Sequence, residues 1–234
     1  MNRLFFVLLF FITSLSGFAQ SKWGYGITFS PDAVSETHRP QSNVPIHYKL
    51  MIRYTAGANI FYNFNKRFAL ISGLWFSERG ISEYQNQALP GIPNINHSGQ
   101  AYTPSYRYSE DYLELPVLLK FGSKAPKRLS FYATFGIVLS AIVNERYRQV
   151  DASGTQVIYF SRNTLTTSLE YKPIYFLATI GRGVAYQLND KTQLAAEANL
   201  KYSLNTLYNT TPISPEYRTH EYSVGIRFGV YRSF

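Results

Sequence analysis

Apolar side chains recur at every second position over eight stretches of nine residues or more, and that period constrains the fold more than any other feature. A period of two puts successive side chains on opposite faces of a strand, so each stretch reads as a strand with one apolar face. The stretches lie near 22–30, 50–64, 67–79, 111–122, 128–143, 172–188, 191–204 and 220–234. Leu113, Leu115, Val117, Leu119 and Phe121 alternate with Glu114, Pro116, Leu118 and Lys120. Leu194, Ala196, Ala198, Leu200 and Tyr202 alternate with Ala195, Glu197, Asn199 and Lys201. Strands of soluble proteins average roughly 5–6 residues, whereas a tilted strand needs about 9–11 to cross a bilayer.

The connectors alternate too. Tight turns follow the second, fourth and sixth stretches, and long polar loops near 31–49, 80–110, 144–171 and 205–219 follow the odd ones. Nine of the eleven prolines fall in these connectors, where a missing N–H costs least. The pattern predicts an all-β, eight-stranded antiparallel up-and-down transmembrane β-barrel in the outer membrane, with both termini periplasmic. The alternative is a soluble lipocalin-like barrel, whose apolar face points inward. Here the opposite face carries Glu114, Lys120, Glu197, Lys201 and Arg227, which a dry pocket would not tolerate unpaired.

The first twenty residues read as an address. Arg3 gives a positive start, Leu4 to Phe11 an apolar core, and Gly17-Phe18-Ala19-Gln20 a small-residue exit, the layout of a secretory signal peptide. Cleavage is expected near Gln20–Ser21, leaving 21–234 as the barrel domain. The absence of cysteine removes disulfide frameworks, thiolate metal sites and cysteine nucleophiles. No cofactor or metal site is expected.

Two places resist the pattern. Pro116 and Pro173 lie inside strands and each removes a ladder donor, so bulges or water contacts are expected there. Arg182 falls on the nominal lipid face between Gly181 and Gly183, so either the register flips or the side chain snorkels to headgroups.

The segment Tyr112-Leu113-Glu114-Leu115-Pro116-Val117-Leu118-Leu119-Lys120 resembles the recurring strand of the PorT-like outer-membrane β-barrel family. Phe135-Gly136-Ile137 and Gly181-Arg182-Gly183-Val184 stand where that family places its glycine-containing strands. The strand Tyr222–Phe234, ending in Phe234, resembles the targeting signal read by the barrel-assembly machinery. The resemblance implies a barrel in the outer membrane of a Gram-negative cell. It carries over no catalytic residue.

An eight-stranded barrel has a lumen that side chains fill, and Phe61, Trp75, Tyr132 and Tyr231 are expected to occupy it. Glu114 and Glu197 against Lys120, Lys201 and Arg227 predict a paired internal charge network. Trp23, Phe64, Phe68, Tyr171, Tyr186, Tyr222 and Phe234 stand at strand ends as membrane-interface aromatics. The net charge of +9 concentrates in the short turns. Lys66, Arg67, Lys124, Lys127, Arg128 and Lys191 there face Asp190 alone, whereas the long loops with their flanks hold nine basic residues against eleven acidic ones. Basicity on the periplasmic side suits anionic lipid headgroups, and no nucleic-acid motif accompanies it. Tyrosine-rich outer loops suit a protein or glycan partner. The rival class is an outer-membrane lipid-modifying enzyme. Of the four histidines, His38, His47, His97 and His220, only His220-Glu221 with a loop serine could build a Ser/His/acid set.

Overall fold

The computed structural model describes residues 22–37, 46–65, 67–80, 82–85, 105–123, 128–150, 156–162, 174–205 and 220–234. Every element among them is a strand: β1 (Trp23–Thr37), β2 (Ile46–Lys49), β3 (Met51–Asn63), β4 (Phe68–Arg79), β5 (Ser82–Gln85), β6 (Ser105–Gly122), β7 (Leu129–Val150), β8 (Gln156–Arg162), β9 (Ile174–Gln187), β10 (Thr192–Ser203) and β11 (His220–Ser233). Eight of these close on themselves in the order β6-β4-β3-β1-β11-β10-β9-β7, with β7 returning to β6. All pairings are antiparallel. Closure leaves no open edge in the belt, as hydrocarbon requires of every backbone N–H and C=O.

The alternation seen in the sequence becomes an inside and an outside. On β10, Leu200 is 44% exposed while its neighbour Lys201 is 1% exposed; on β11, Ile226 is 51% exposed and Arg227 6%. The outer wall is a continuous apolar surface, with Ile27, Phe29, Ile60, Leu115, Phe131, Ile180 and Phe228 all exposed. In water such a patch would be untenable for a lone domain; in lipid it is the solvated face.

Two of the three short turns share one device. Asn65 Oδ1 accepts from the backbone N–H groups of Arg67 (2.8 Å) and Phe68 (3.0 Å). Asn189 Oδ1 does the same for Lys191 (3.0 Å) and Thr192 (2.9 Å). An asparagine that satisfies the amide two residues on holds a reversal tight without help from packing. At the other end, Gly80 leaves β4 with φ of 138°, a conformation that glycine adopts without strain.

Of the two alternatives expected at Pro116, the bulge is not what forms. Pro116 lies inside β6, yet the β4–β6 ladder shows no register shift there: Ser72 faces Val117, Trp75 faces Glu114, and only the positions between are unpaired. The missing N–H breaks the ladder locally without inserting a residue. Pro31, expected in a loop, lies inside β1 and does the same to the β1–β11 ladder between Phe29↔Phe228 and Asp32↔Gly225. The bulge in β6–β7 sits between Asp111 and Tyr112 instead, where β7 carries the extra residue. Pro173 lies outside the described residues.

Arg182 keeps its register. The burial of β9 alternates without a break, with Gly181 and Gly183 inward and Arg182 exposed on the lipid side. It faces Ala133 on β7 and Ala198 on β10, two small side chains that leave its long stem room to lie along the wall.

The strands also run further than the amphipathic pattern does. β1 extends to Thr37, β6 begins at Ser105 and β7 continues to Val150, all in stretches expected to be loop. β5 pairs β6, β2 pairs β5 and β8 pairs β7, giving a five-stranded sheet β2-β5-β6-β7-β8 at the long-loop end. There Tyr106, Arg107 and Tyr108 pair with Gln149, Arg148 and Tyr147.

Candidate functional site

The lumen holds a plug in three tiers. Nearest the long-loop end, Arg79 of β4 donates from Nη1 to Glu221 Oε1 at 2.8 Å, and from Nη2 to Glu114 Oε1 at 2.5 Å and Ser140 Oγ at 2.8 Å. Its guanidinium lies 4.0 Å from the centroid of the Tyr112 ring and 5.2 Å from that of Tyr175. Tyr112 in turn donates to Glu110. Lys201 Nζ stands 3.3 Å from Asp32 Oδ2 and 3.9 Å from Glu114 Oε2, and donates to Thr55 Oγ1 at 2.9 Å. Ser30 and Thr55 hydroxyls donate to the two Asp32 oxygens at 2.6 and 2.7 Å. Bidentate geometry and stacking suit arginine to such a dry junction.

The middle tier pairs Arg227 Nη1 with Glu197 Oε1 at 2.9 Å. Arg227 lies 4.5 Å from the Trp75 ring centroid, and Trp75 Nε1 donates to Asn59 Oδ1 at 2.7 Å. The third tier, at the short-turn end, is Lys120. Its Nζ sits 4.3 Å from the Tyr132 ring centroid and 5.8 Å from that of Tyr231, with Gln193 Oε1 at 3.4 Å. One side of the lumen is apolar: Ile71, Leu118, Val138, Ile142 and Leu177 pack with Trp75, Tyr112 and Tyr175. Of the plug charges, Asp32, Glu197, Lys201, Glu221 and Arg227 come from β1, β10 and β11, and Arg79, Glu114 and Lys120 from β4 and β6, strands that also carry this cluster.

The five charges singled out from the sequence thus separate. Glu114 and Lys201 share the first tier, Glu197 and Arg227 form the second, and Lys120 stands alone below them. Asp32, Arg79 and Glu221 were missed, since they fell in segments expected to be outer loops or their flanks. The available signal was parity: Asp32 continues Thr28 and Ser30, Arg79 continues Trp75 and Ser77, and Glu221 precedes Ser223, Gly225 and Arg227 on the inward face.

Glycines on neighbouring strands make room for the plug. A Cβ at Gly57 would collide with Trp75, at Gly24 with Phe61, at Gly26 and Gly229 with Tyr231, and at Gly225 with Asp32. Gly181 lies under Glu197 and Gly183 under Tyr132, which accounts for the Gly-Arg-Gly run around an outward arginine.

At the short-turn end Trp23, Phe64, Phe68, Tyr186 and Phe234 are exposed outward, and ring pairs Trp23–Tyr62 (4.9 Å), Tyr62–Phe64 (5.3 Å) and Phe68–Phe121 (5.0 Å) link the strands. Tyr222 is half-buried on β11 opposite Tyr202, and Tyr171 lies outside the described residues.

The histidine–acid idea meets the geometry of a strand. His220 and Glu221 are neighbours on β11 and so point to opposite faces: His220 Nδ1 lies 3.0 Å from the Ser203 carbonyl oxygen and its ring stacks on Tyr202, while Glu221 turns inward to Arg79. His38 and His97, and the side chain of His47, fall outside the described residues. Among the described residues no group of three His, Asp or Glu side chains could hold a metal ion.

Residues 18–209 match the model of the protein family described as outer membrane protein beta-barrel domain. The chain belongs to that family. Membership places the barrel in the outer membrane, and the apolar wall is its lipid face. Solved structures similar to this chain include Neisserial surface protein A (12% identity, 92% of this chain and 98% of that one, TM-score 0.47). Others are OprG from Pseudomonas aeruginosa (11%, 92% and 97%, TM-score 0.42) and the outer membrane protease OmpT from Escherichia coli (9%, 91% and 96%, TM-score 0.44). No curated protein matches the sequence.

Proposed function

We propose that the chain is a PorT-like, non-enzymatic outer-membrane barrel that works by contact, binding a protein or glycan at its long-loop end. The observation that carries this reading is the five-stranded sheet at the long-loop end, above a lumen that its own side chains fill. A filled axis leaves the rim as the working surface, and a sheet whose outer strands β2 and β8 have one paired neighbour each among the described residues offers backbone groups for recognition. Residues 1–20 direct export and are removed near Gln20–Ser21, the barrel-assembly machinery inserts the chain, and both termini rest in the periplasm.

The test replaces Gln156–Arg162 with a Gly/Ser segment of equal length and compares surface crosslinks on whole cells. The reading expects the crosslinked partner to disappear while the folded, heat-modifiable barrel persists. An unchanged crosslink pattern contradicts it, and a shift in lipid A mass on expression would put an enzyme in its place. Mature protein beginning at Met1 would refute the export segment.

A further inference from the structure

The three tiers hold four cations, and three have carboxylates in contact: Arg79 with Glu114 and Glu221, Lys201 with Asp32, Arg227 with Glu197. Lys120 is the exception. No described carboxylate lies within ion-pair distance of its Nζ, which rests against two tyrosine rings and one amide oxygen. The nearest acid of the plug, Glu197, is already taken by Arg227. Below Lys120 the lumen opens into a cavity of about 200 Å³ at the short-turn end. Its polar lining is Asn63, Lys120, Gln187, Lys191, Gln193 and Ser233: two cations, three amides and a hydroxyl, with no acid. The floor is closed by Phe61, Ile71 and Tyr231.

We infer that this mouth is a binding site for a phosphate-sized oxyanion, with Lys120 as its inner charge and Lys191 as its outer one. A partly buried ammonium surrounded by aromatic faces gains most from an anion that water alone does not supply, and hydrogen bonds to charged groups are the strong ones. The cavity takes a tetrahedral oxyanion together with several waters, at about 30 Å³ of liquid volume per water. Amide donors from Asn63 and Gln193 and the Ser233 hydroxyl complete an anion's shell on the side away from the lysines. The exposed Lys22, Arg67 and Arg128 stand around the same end of the barrel, so the local field draws anions toward the mouth. The site is distinct from the long-loop rim and does not depend on what that rim contacts.

Inorganic phosphate is the probe, titrated calorimetrically into the full barrel refolded in zwitterionic micelles at low ionic strength. The inference expects saturable binding. Lys120→Met should weaken it about tenfold or more, as for one lost hydrogen bond to a charged group. Lys120→Arg, which keeps the charge, should largely retain it. Heat-modifiable migration confirms that both variants fold. A short-chain phosphatidylglycerol that competes with phosphate identifies a lipid headgroup as the natural source; failure to compete identifies a soluble oxyanion, and either supports the site. Absence of saturable binding, or equal binding by wild type and Lys120→Met, overturns it.

Discussion

Arg79 and Arg182 show how differently one side chain behaves on the two faces of this wall. Arg79 is buried with both of its Nη atoms committed to carboxylates and two aromatic rings beneath it. Removing it leaves Glu221 without its cation and Glu114 with Lys201 alone at 3.9 Å, and an uncompensated buried charge costs about 3–5 kcal/mol. Arg79→Met is therefore expected to lower the unfolding free energy by about that amount in urea titrations, and adding Glu221→Gln should recover part of it. A loss under about 1 kcal/mol would mean the junction is wet. Arg182 is a charged side chain exposed on the lipid face of β9, between Ile180 and Val184. Placing arginine there costs roughly 2–4 kcal/mol at the bilayer midplane, so Arg182→Leu should raise stability by about 2 kcal/mol. Destabilisation would show that the guanidinium has a partner in the membrane. Of these two residues, only the problem posed by Arg182 was legible in the sequence. Arg79 was hidden because a charge two residues from a polar loop looks like loop.

At the scale of the element, the period of two located all eight barrel strands, since lipid on one side and a filled lumen on the other keep the alternation strict. It stopped short at the long-loop end. The chain stays strand to Thr37 in β1, from Ser105 in β6 and to Val150 in β7, beyond the stretches where the apolar alternation could be read. Prolines misled for a related reason. Pro31 and Pro116 each remove one donor, and the ladder absorbs the gap with the register intact on both sides. Glycines carried more information than their spacing revealed, because several inward ones, such as Gly24, Gly57 and Gly183, answer a bulky plug residue on a neighbouring strand. A Cβ at Gly183 would stand 2.6 Å from Tyr132 Cζ and 2.5 Å from the Ala196 carbonyl oxygen. Gly183→Val should thus cost about 1–3 kcal/mol or abolish the folded band, as overpacking does. Ala178→Val on the lipid face of the same strand should leave both unchanged; equal losses from the two would show that Gly183 faces lipid instead.

For the molecule as a whole, closure, lipid face and lumen filling follow from eight amphipathic strands, whereas the division of the lumen into an apolar wall and tiers of charge does not. That division depends on which strands become neighbours around the barrel, and one-face alternation along a strand is silent about neighbours. What a partner proposed for the rim would be is equally silent in the residues, because the loops carry no repeating pattern. The claim on which everything stands is the direction of the side chains. A chain free of cysteine allows single cysteines to be placed from Leu194 to Tyr202, spin-labelled, and reconstituted in liposomes. Collision with dissolved oxygen should be high at 194, 196, 198, 200 and 202 and low at 195, 197, 199 and 201, with a water-soluble nickel chelate excluded from both sets. Oxygen contact without a two-residue period, or free access of the chelate to 197 and 201, would contradict a barrel that turns its apolar side chains to lipid and its charges to a filled axis.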